Sequence, residues 1–327
     1  MSKTVRWGIL GTGGIARSFA TDLKAVGLTI AAVGSRSQES ADRFAAEFGI
    51  PTAYPSYEAL VADPDVDVIY IATPHTFHAE NALLAIGAGK NVLIEKAFTI
   101  NAAQATQIQQ AAETAGVAVL EAMWTRFLPH MVRLREIIAA GTLGDVRTVL
   151  ADHDQRLPSD PSHRINDPAL GGGALLDLAI YPVSFAIDLL GLPTRILASA
   201  TLGDTGVDQQ TALIFEHEGG RQSASHSAID TAGPVRASVI GTEARVDIDR
   251  TWYAPTSFTV TNSEGEVLER FEQPVASRGM EYQALEFERM LAAGERESPL
   301  LPVAESVAIM AVLDEVRAQI GLHYPGE

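Results

Sequence analysis

The chain is predicted to be an α/β protein, with a doubly wound parallel sheet at the N-terminus and then an α+β domain on a largely antiparallel open sheet. Three observations lead there. Strand-like and helix-like segments alternate through the first third; a glycine-rich turn joins the first strand to the first helix; and from residue 195 to about 273 strand-like segments follow one another without helices between them. Alternation is the pattern of a parallel sheet covered by helices on both faces, whereas consecutive strands pair as antiparallel ladders. At 327 residues the chain exceeds most single cores, so two domains are expected, 1–122 and 123–327.

The elements follow in order. "TVRWGIL" is a short apolar run of β-formers, and "GTGGIARSFATDLKAV" switches to helical periodicity. "LTIAAVGS", "SQESADRFAAEFG", "VDVIYIAT", "AENALLAIGAG", "NVLIEKA", "NAAQATQIQQAAETAG" and "VAVLEAM" continue the exchange of strand and helix. After residue 122 come a helix, "PHMVRLREIIAAG", a strand around Val146 to Asp152, a polar loop, and an apolar helix led by three glycines, "GGGALLDLAIYPVS". Seven strand-like segments and two final helices, near 279–293 and 303–321, complete the chain.

Gly11, Gly13 and Ala16 fit G-x-G-x-x-A between a strand and a helix. The first glycine permits the tight turn, and the second lets backbone amides approach a pyrophosphate at the positive end of the helix. Residues 1–122 therefore read as a Rossmann-type NAD(P)-binding domain, with Gly11, Thr12, Gly13, Gly14 and Ile15 as cofactor contacts. At the end of the second strand, NAD sites usually place a carboxylate for the ribose 2′-hydroxyl; this chain has Ser35 and Arg36. A guanidinium pairs with a 2′-phosphate that a carboxylate would repel, so NADP is the expected cofactor, with NAD as the alternative.

Composition excludes other classes. With 24 basic and 41 acidic residues the formal charge is -17, which repels a nucleic-acid backbone. The absence of cysteine removes disulfides, thiolate metal sites and thiol nucleophiles. No apolar run is read as reaching the ~18 residues of a membrane span, and Met1 to Arg6 carry no secretory pattern, so a cytoplasmic protein is expected.

"ATPHTFHAENALLAIGAGKNVLIEKAF" resembles the P-x-x-x-H … A-G-K-x-V-x-x-E-K-P signature of the glucose-fructose oxidoreductase/inositol dehydrogenase/MocA family, and "GGGALLDLAIYP" resembles its G-G-G-x-L-x-D-x-G-x-Y/H segment. "EAMWTRFLP", "MEYQALEFERML" and "GLHYP" extend the likeness over nearly the whole chain; with "GSRS" it is most similar to the branch of dimeric dihydrodiol and NADP-dependent D-xylose dehydrogenases. The resemblance implies that Lys96 is the catalytic lysine and that Asp177 and Tyr181 are the acidic and phenolic positions of the second domain. Oxidising a carbinol needs a group that takes the hydroxyl proton while hydride leaves the same carbon. A free phenol, with pKa near 10, is a poor base, but a neighbouring ammonium favours its phenolate. Lys96 would supply that charge, and Asp177 would accept from Lys96 or from a substrate hydroxyl; the logic leaves open whether Tyr181 or Lys96 transfers the proton directly. Taken singly, a strand-end Lys after Glu is ordinarily a surface ion pair, and Tyr in an apolar helix is ordinarily core.

Thr73, Pro74 and His75 follow the third predicted strand at the carboxyl edge where such sheets bind ligands, and with Glu95 and Lys96 they are expected near the cofactor. His78 matches the family histidine, either touching the cofactor or anchoring the next helix. No convincing third ligand joins His75 and His78, so no metal is expected. Trp124, Arg126 and Phe127 at the predicted junction, and His163 and Arg164 in the loop before the glycines, are the substrate-binding candidates. "DHDQR", Asp152 to Arg156, is read as ending a strand that faces the active-site loop. Three departures from the family pattern stand out: Ala97 replaces a proline, Ala179 replaces a glycine, and Pro182 follows the tyrosine and should bend or interrupt the helix.

The reading that results is an NADP-dependent oxidoreductase of a sugar, cyclic polyol or trans-dihydrodiol. A cofactor-sensing regulator of the same fold is the alternative, but it has no need of a proton-transfer set. An adenosylmethionine-dependent methyltransferase is disfavoured because no carboxylate ends the second strand. The expected partners are a small carbohydrate, polyol or diol and a second copy of the chain in a homodimer or homotetramer, through the uncovered face of the second sheet; neither nucleic acid nor membrane is expected.

Overall fold

The computed structural model describes residues 4–325 and 327. They form two compact units: the chain up to Trp124 with Val275–Val307, and Thr125–Pro274 with the chain from Ala308. This differs from the contiguous 123–327 domain expected from sequence. The physical reason lies in the returning segment: Phe287 packs edge-on against Trp7 at 5.7 Å, the Trp7 indole donates to Glu288 Oε1 at 2.9 Å, and Met280 N donates to buried Asp22 at 2.8 Å.

The first unit contains β1 (Arg6–Leu10), α1 (Gly14–Ala25), β2 (Thr29–Gly34), α2 (Gln38–Phe48), β3 (Thr52–Tyr54), α3 (Tyr57–Val61), β4 (Val68–Ile71), α4 (His78–Gly87), β5 (Asn91–Glu95), α5 (Ala102–Ala115) and β6 (Val119–Ala122). Its sheet is wholly parallel, in the order β3-β2-β1-β4-β5-β6. Strands covered on both faces read as continuous apolar runs, and Val68–Ile71 and Val92–Ile94 are accordingly buried throughout. β3 and α3 are too short to leave a periodic signal, and the sequence pattern does not predict them. The strand order reverses between β1 and β4, the point at whose carboxyl edge such sheets bind ligands.

The second unit contains α6 (Pro129–Ala139), β7 (Val146–Asp154), α7 (Ile180–Leu190), β8 (Pro193–Leu202), β9 (Asp208–His217), β10 (Arg221–Ala228), β11 (Ala237–Gly241), β12 (Ala244–Ile248), β13 (Phe258–Asn262) and β14 (Val267–Phe271). The sheet order is β14-β13-β12-β11-β7-β10-β9-β8, antiparallel except for the β7–β10 pair. Burial alternates along β9 from Thr211 to Phe215, with Thr211, Leu213 and Phe215 buried and Ala212 and Ile214 exposed. The two remaining helices are α8 (Glu281–Ala293) and α9 (Val303–Ile320).

The expectation that no segment approaches membrane-span length is corrected by Pro168–Leu190, which is long and apolar enough by composition: an 18-residue window of it has a mean hydropathy of 1.6, and 89% of that window is buried inside the protein. A helix packed on all sides in a core needs apolar residues all round, and so satisfies the same criterion. Pro182 does not interrupt this segment. It is the third residue of α7, which continues to Leu190, and the irregularity lies just before it, as the π-helical turn Leu175–Ala179.

Candidate active site

In the first unit the chain leaves β1 through Gly11, whose φ of +107° suits glycine and whose hypothetical Cβ would lie 3.0 Å from the Ala72 carbonyl oxygen. Gly11 N donates to Gly34 O at 2.9 Å, closing the turn against β2. Gly13 and Gly14 are exposed, and a Cβ on either would meet nothing within 4 Å. Gly13 precedes α1 without any side-chain cap. The first amides of α1 therefore face open space at the positive end of the helix, a cradle that fits a pyrophosphate. Ala16, fully buried, packs the helix on the sheet, while Thr12 O accepts from Arg17 Nη1 at 2.7 Å and Ile15 is half-buried beside it.

At the end of β2, Ser35 is buried and its N–H donates to Tyr54 O at 3.1 Å, leaving Arg36 exposed. Burial pushes the Tyr57 phenol up, and the Arg36 guanidinium, hydrogen-bonded to it, works in the opposite direction. The sequence carries no signal for this tyrosine, because α3 is not predicted.

Thr73, Pro74, His75 and His78 form the loop after β4 and the start of α4. His78 is fully buried, with Nδ1 2.9 Å from Ala97 O and Nε2 2.8 Å from Thr73 O. Two carbonyl partners would favour an imidazolium, but burial outweighs them and lowers the ring to about 3, so it is neutral and donates to one of the two. His75 Nε2 lies 3.2 Å from Lys96 O. Both histidines thus brace the backbone on either side of the Lys96–Ala97 peptide, which is cis; of the two readings of His78, the anchor is the one its partners support. Among the described residues no group of three His, Asp or Glu could hold a metal ion.

Glu95 ends β5, buried, and accepts a hydrogen bond from Tyr70, itself stacked on Phe19 at 3.8 Å. Burial raises its carboxyl to about 7, against the opposing pull of the Tyr70 hydroxyl and the Lys96 charge. A folded-state pKa above the unfolded 4.5 stabilises the fold below pH 4.5, and that stability is lost as pH rises through 7. Glu95→Gln should therefore flatten the decline in Tm between pH 5 and 8, by the equivalent of about 2–3 kcal/mol. Thermal melts at both pH values check this, and equal slopes for the two proteins would contradict it.

In the second unit Asp177 and Tyr181 are both buried. The glycines before them are required by space: a Cβ on Gly172 would lie 2.5 Å from Ile165 O, and one on Gly173, at φ +113°, would lie 2.2 Å from Asp208 Oδ1. The Asp177 carboxylate is held bidentately by Arg164, Nη1 to Oδ2 at 3.0 Å and Nη2 to Oδ1 at 3.1 Å. The Arg164 fork orients the carboxylate, and half of its side chain is still exposed. His163 accepts from Ile165 N at 3.3 Å and caps the turn that presents Arg164.

Tyr181 sits in an aromatic cluster. His153 meets it edge-on at 5.0 Å, Tyr253 lies at 4.9 Å, and His153 and Tyr253 stack at 4.0 Å. His153 Nδ1 is 3.1 Å from Leu178 O, the carbonyl that Pro182 leaves without its i+4 donor. Gln155 Nε2 approaches His153 Nε2 at 2.7 Å and donates to the Tyr253 hydroxyl at 2.6 Å. "DHDQR" is the sequence signal for His153 and Gln155; Tyr253 has none.

The remaining substrate candidates have other partners. Trp124 belongs to the first unit, is buried, and has the Arg278 guanidinium 5.3 Å over its ring, so that face is not open to a sugar. Arg126, in the second unit, is buried in an ion pair with Asp188 at 3.0 Å and donates to Ser184 Oγ and O at 3.0 and 2.8 Å. Phe127 is buried as well. Trp124, Arg126 and Phe127 are thus buried, and the first two have protein partners.

Comparison with known proteins shows the family and the fold. Residues 5–123 match the family model of the GFO/IDH/MocA oxidoreductases, described as an NAD-binding Rossmann fold, and residues 131–247 match the GFO/IDH/MocA C-terminal domain. The chain is 38% identical over 334 residues to the trans-1,2-dihydrobenzene-1,2-diol dehydrogenase of Mus musculus, covering 98% of each. It is 34% identical to the NADP+-dependent D-xylose 1-dehydrogenase of Hypocrea jecorina, over 98% of this chain and 93% of that one. A crystal structure of a 3-ketoreductase from Actinomadura kijaniata with NADP and TDP-benzene shares the fold at a TM-score of 0.86 and 24% identity, covering 97% and 98% of the two chains. The chain belongs to the GFO/IDH/MocA family of oxidoreductases.

Proposed function

We propose that this chain is an NADP-dependent dehydrogenase or reductase acting at the CH–OH or carbonyl carbon of a sugar, cyclic polyol or trans-dihydrodiol. The observation that carries the reading is the π-turn Leu175–Ala179 and the start of α7. They place a buried carboxylate held by arginine and a buried phenol in one otherwise apolar segment. π-turns of this kind concentrate at functional sites. Relatives that act on a dihydrodiol and on D-xylose support the substrate class.

The nicotinamide, when bound, accepts or donates the hydride. The chain supplies the rest. Gly11 to Ile15 would hold the pyrophosphate through backbone amides, and Arg36 the 2′-phosphate. Either the Tyr181 phenolate or the Lys96 amine would take the one hydroxyl proton during oxidation and return it during reduction. Asp177, fixed by Arg164, accepts from a substrate hydroxyl and orients the carbinol. An NADPH-absorbance screen across aldoses, inositols and aromatic dihydrodiols tests this reading: turnover of one class is expected, whereas NADPH binding without any turnover would leave a sensor instead.

Arg36→Asp should raise the KM for NADP about tenfold or more while that for NAD changes far less, because a charge-assisted pair is replaced by repulsion. Comparable NADP kinetics in the variant would count against the assignment.

A homodimer, or a tetramer built from it, forms through the open face of the second sheet. Leu150, Leu197 and Ile214 are 41%, 41% and 48% exposed there, an apolar surface of the kind that marks an interface. Light scattering at micromolar concentration should give at least twice the monomer mass, and a monomer would refute the proposal.

A further inference from the structure

The π-turn that carries Asp177 is held at its first residue by a carboxylate from a distant strand. Asp208 opens β9 and is fully buried. Its Oδ2 accepts from Leu175 N at 2.8 Å and from Thr211 Oγ1 at 2.6 Å, while Oδ1 has no hydrogen-bond partner among the described residues. Gly173 is shaped around the same group, since any side chain there would collide with Oδ1. Burial lifts the Asp208 carboxyl to about 7, against both hydrogen bonds, and the charge of Asp177 nearby lifts it further. A buried carboxylate that meets both burial and a like charge is retained at a cost to folding, and general packing needs no such group. The Tyr324 hydroxyl, buried and also without a hydrogen-bond partner among the described residues, is pushed up by burial and by the charge of Asp208, against the pull of Arg317.

We infer that Asp208 is a positioning residue for the proton-transfer set: by accepting the Leu175 amide it sets the register of the π-turn, and thereby the places of Asp177 and Tyr181. The inference rests on the assignment of Tyr181 and Asp177 proposed above. From Leu175 the main chain runs two residues to Asp177 and six to Tyr181. Loss of the anchor lets the turn relax toward α-helical spacing, and a misplacement near 1 Å costs on the order of 100-fold in rate. Binding of NADPH at the Gly11–Gly14 cradle does not depend on this anchor.

The test compares Asp208→Ala with Asp208→Asn, whose amide oxygen still accepts from Leu175 N and Thr211. Asp208→Ala is expected to lower kcat about 10- to 100-fold with NADPH affinity within twofold, and Asp208→Asn to restore kcat to within about threefold of wild type. Wild-type kcat in Asp208→Ala, or an equal loss in both variants, overturns the inference. If Asp208→Ala does not melt cooperatively, Thr211→Val carries the test: a fall in kcat of about threefold at unchanged NADPH affinity supports it, and wild-type kcat refutes it. Tyr181→Phe, measured in parallel, separates the two levels. If that variant remains active the reading of the site fails, whereas an inactive Tyr181→Phe beside a fully active Asp208→Ala defeats only the role given to Asp208.

Discussion

Tyr181→Phe should lower kcat by a factor of about 10² to 10⁴ while leaving NADPH affinity within twofold of wild type. The substitution removes one hydroxyl and keeps the ring, so the edge contact with His153 at 5.0 Å and the tilted contact with Tyr253 at 4.9 Å survive. Packing therefore changes little, and the loss falls on proton transfer. Steady-state kinetics on the best substrate of the screen give kcat, and fluorescence titration with NADPH gives the affinity. A variant within threefold of wild-type kcat would remove the phenol from the mechanism.

Replacing Lys96 by Met should lower kcat by a comparable factor, about 10² to 10³, because the stem is kept and the ammonium is lost. The backbone at this point is held by groups the substitution does not touch: His75 Nε2 at 3.2 Å from Lys96 O and His78 Nδ1 at 2.9 Å from Ala97 O. The fold around β5 should thus persist, with Tm within a few degrees of wild type. Loss of the neighbouring positive charge should also raise the Glu95 carboxyl further, since Lys96 is one of the groups that lowers it. Wild-type turnover by Lys96→Met would show that the charge is not used, whatever the phenol does.

Most of the first unit was legible in its residues. The run Arg6–Leu10, the glycines that follow it and the helix they open are local: strand propensity, a positive φ and small residues act within about a dozen positions. Arg36 is legible from its place at the end of the second strand, whereas Lys96, Asp177 and Tyr181 are singled out by resemblance to the family's segments. The Arg164–Asp177 pair is not legible in sequence, since a polar loop before a glycine run carries no record of which carboxylate its arginine will meet 13 residues later. The partners of Arg126 and Trp124 are equally illegible: a cation and an indole look alike in sequence whether they face solvent or lie buried against Asp188, Ser184 or Arg278.

The sequence by itself determined the alternation of strand and helix, the phosphate cradle and the presence of a carboxylate and a phenol in an apolar segment, because those depend on near neighbours in the chain. Tertiary structure decided the rest: the return of Val275–Val307 to the first unit, the π-turn in place of a kinked α-helix, and the anchoring of that turn by Asp208 at one end and His153 at the other. These depend on which buried donors and acceptors find partners across 25 to 33 residues or more of intervening chain, a matter settled by packing and desolvation rather than by local propensity.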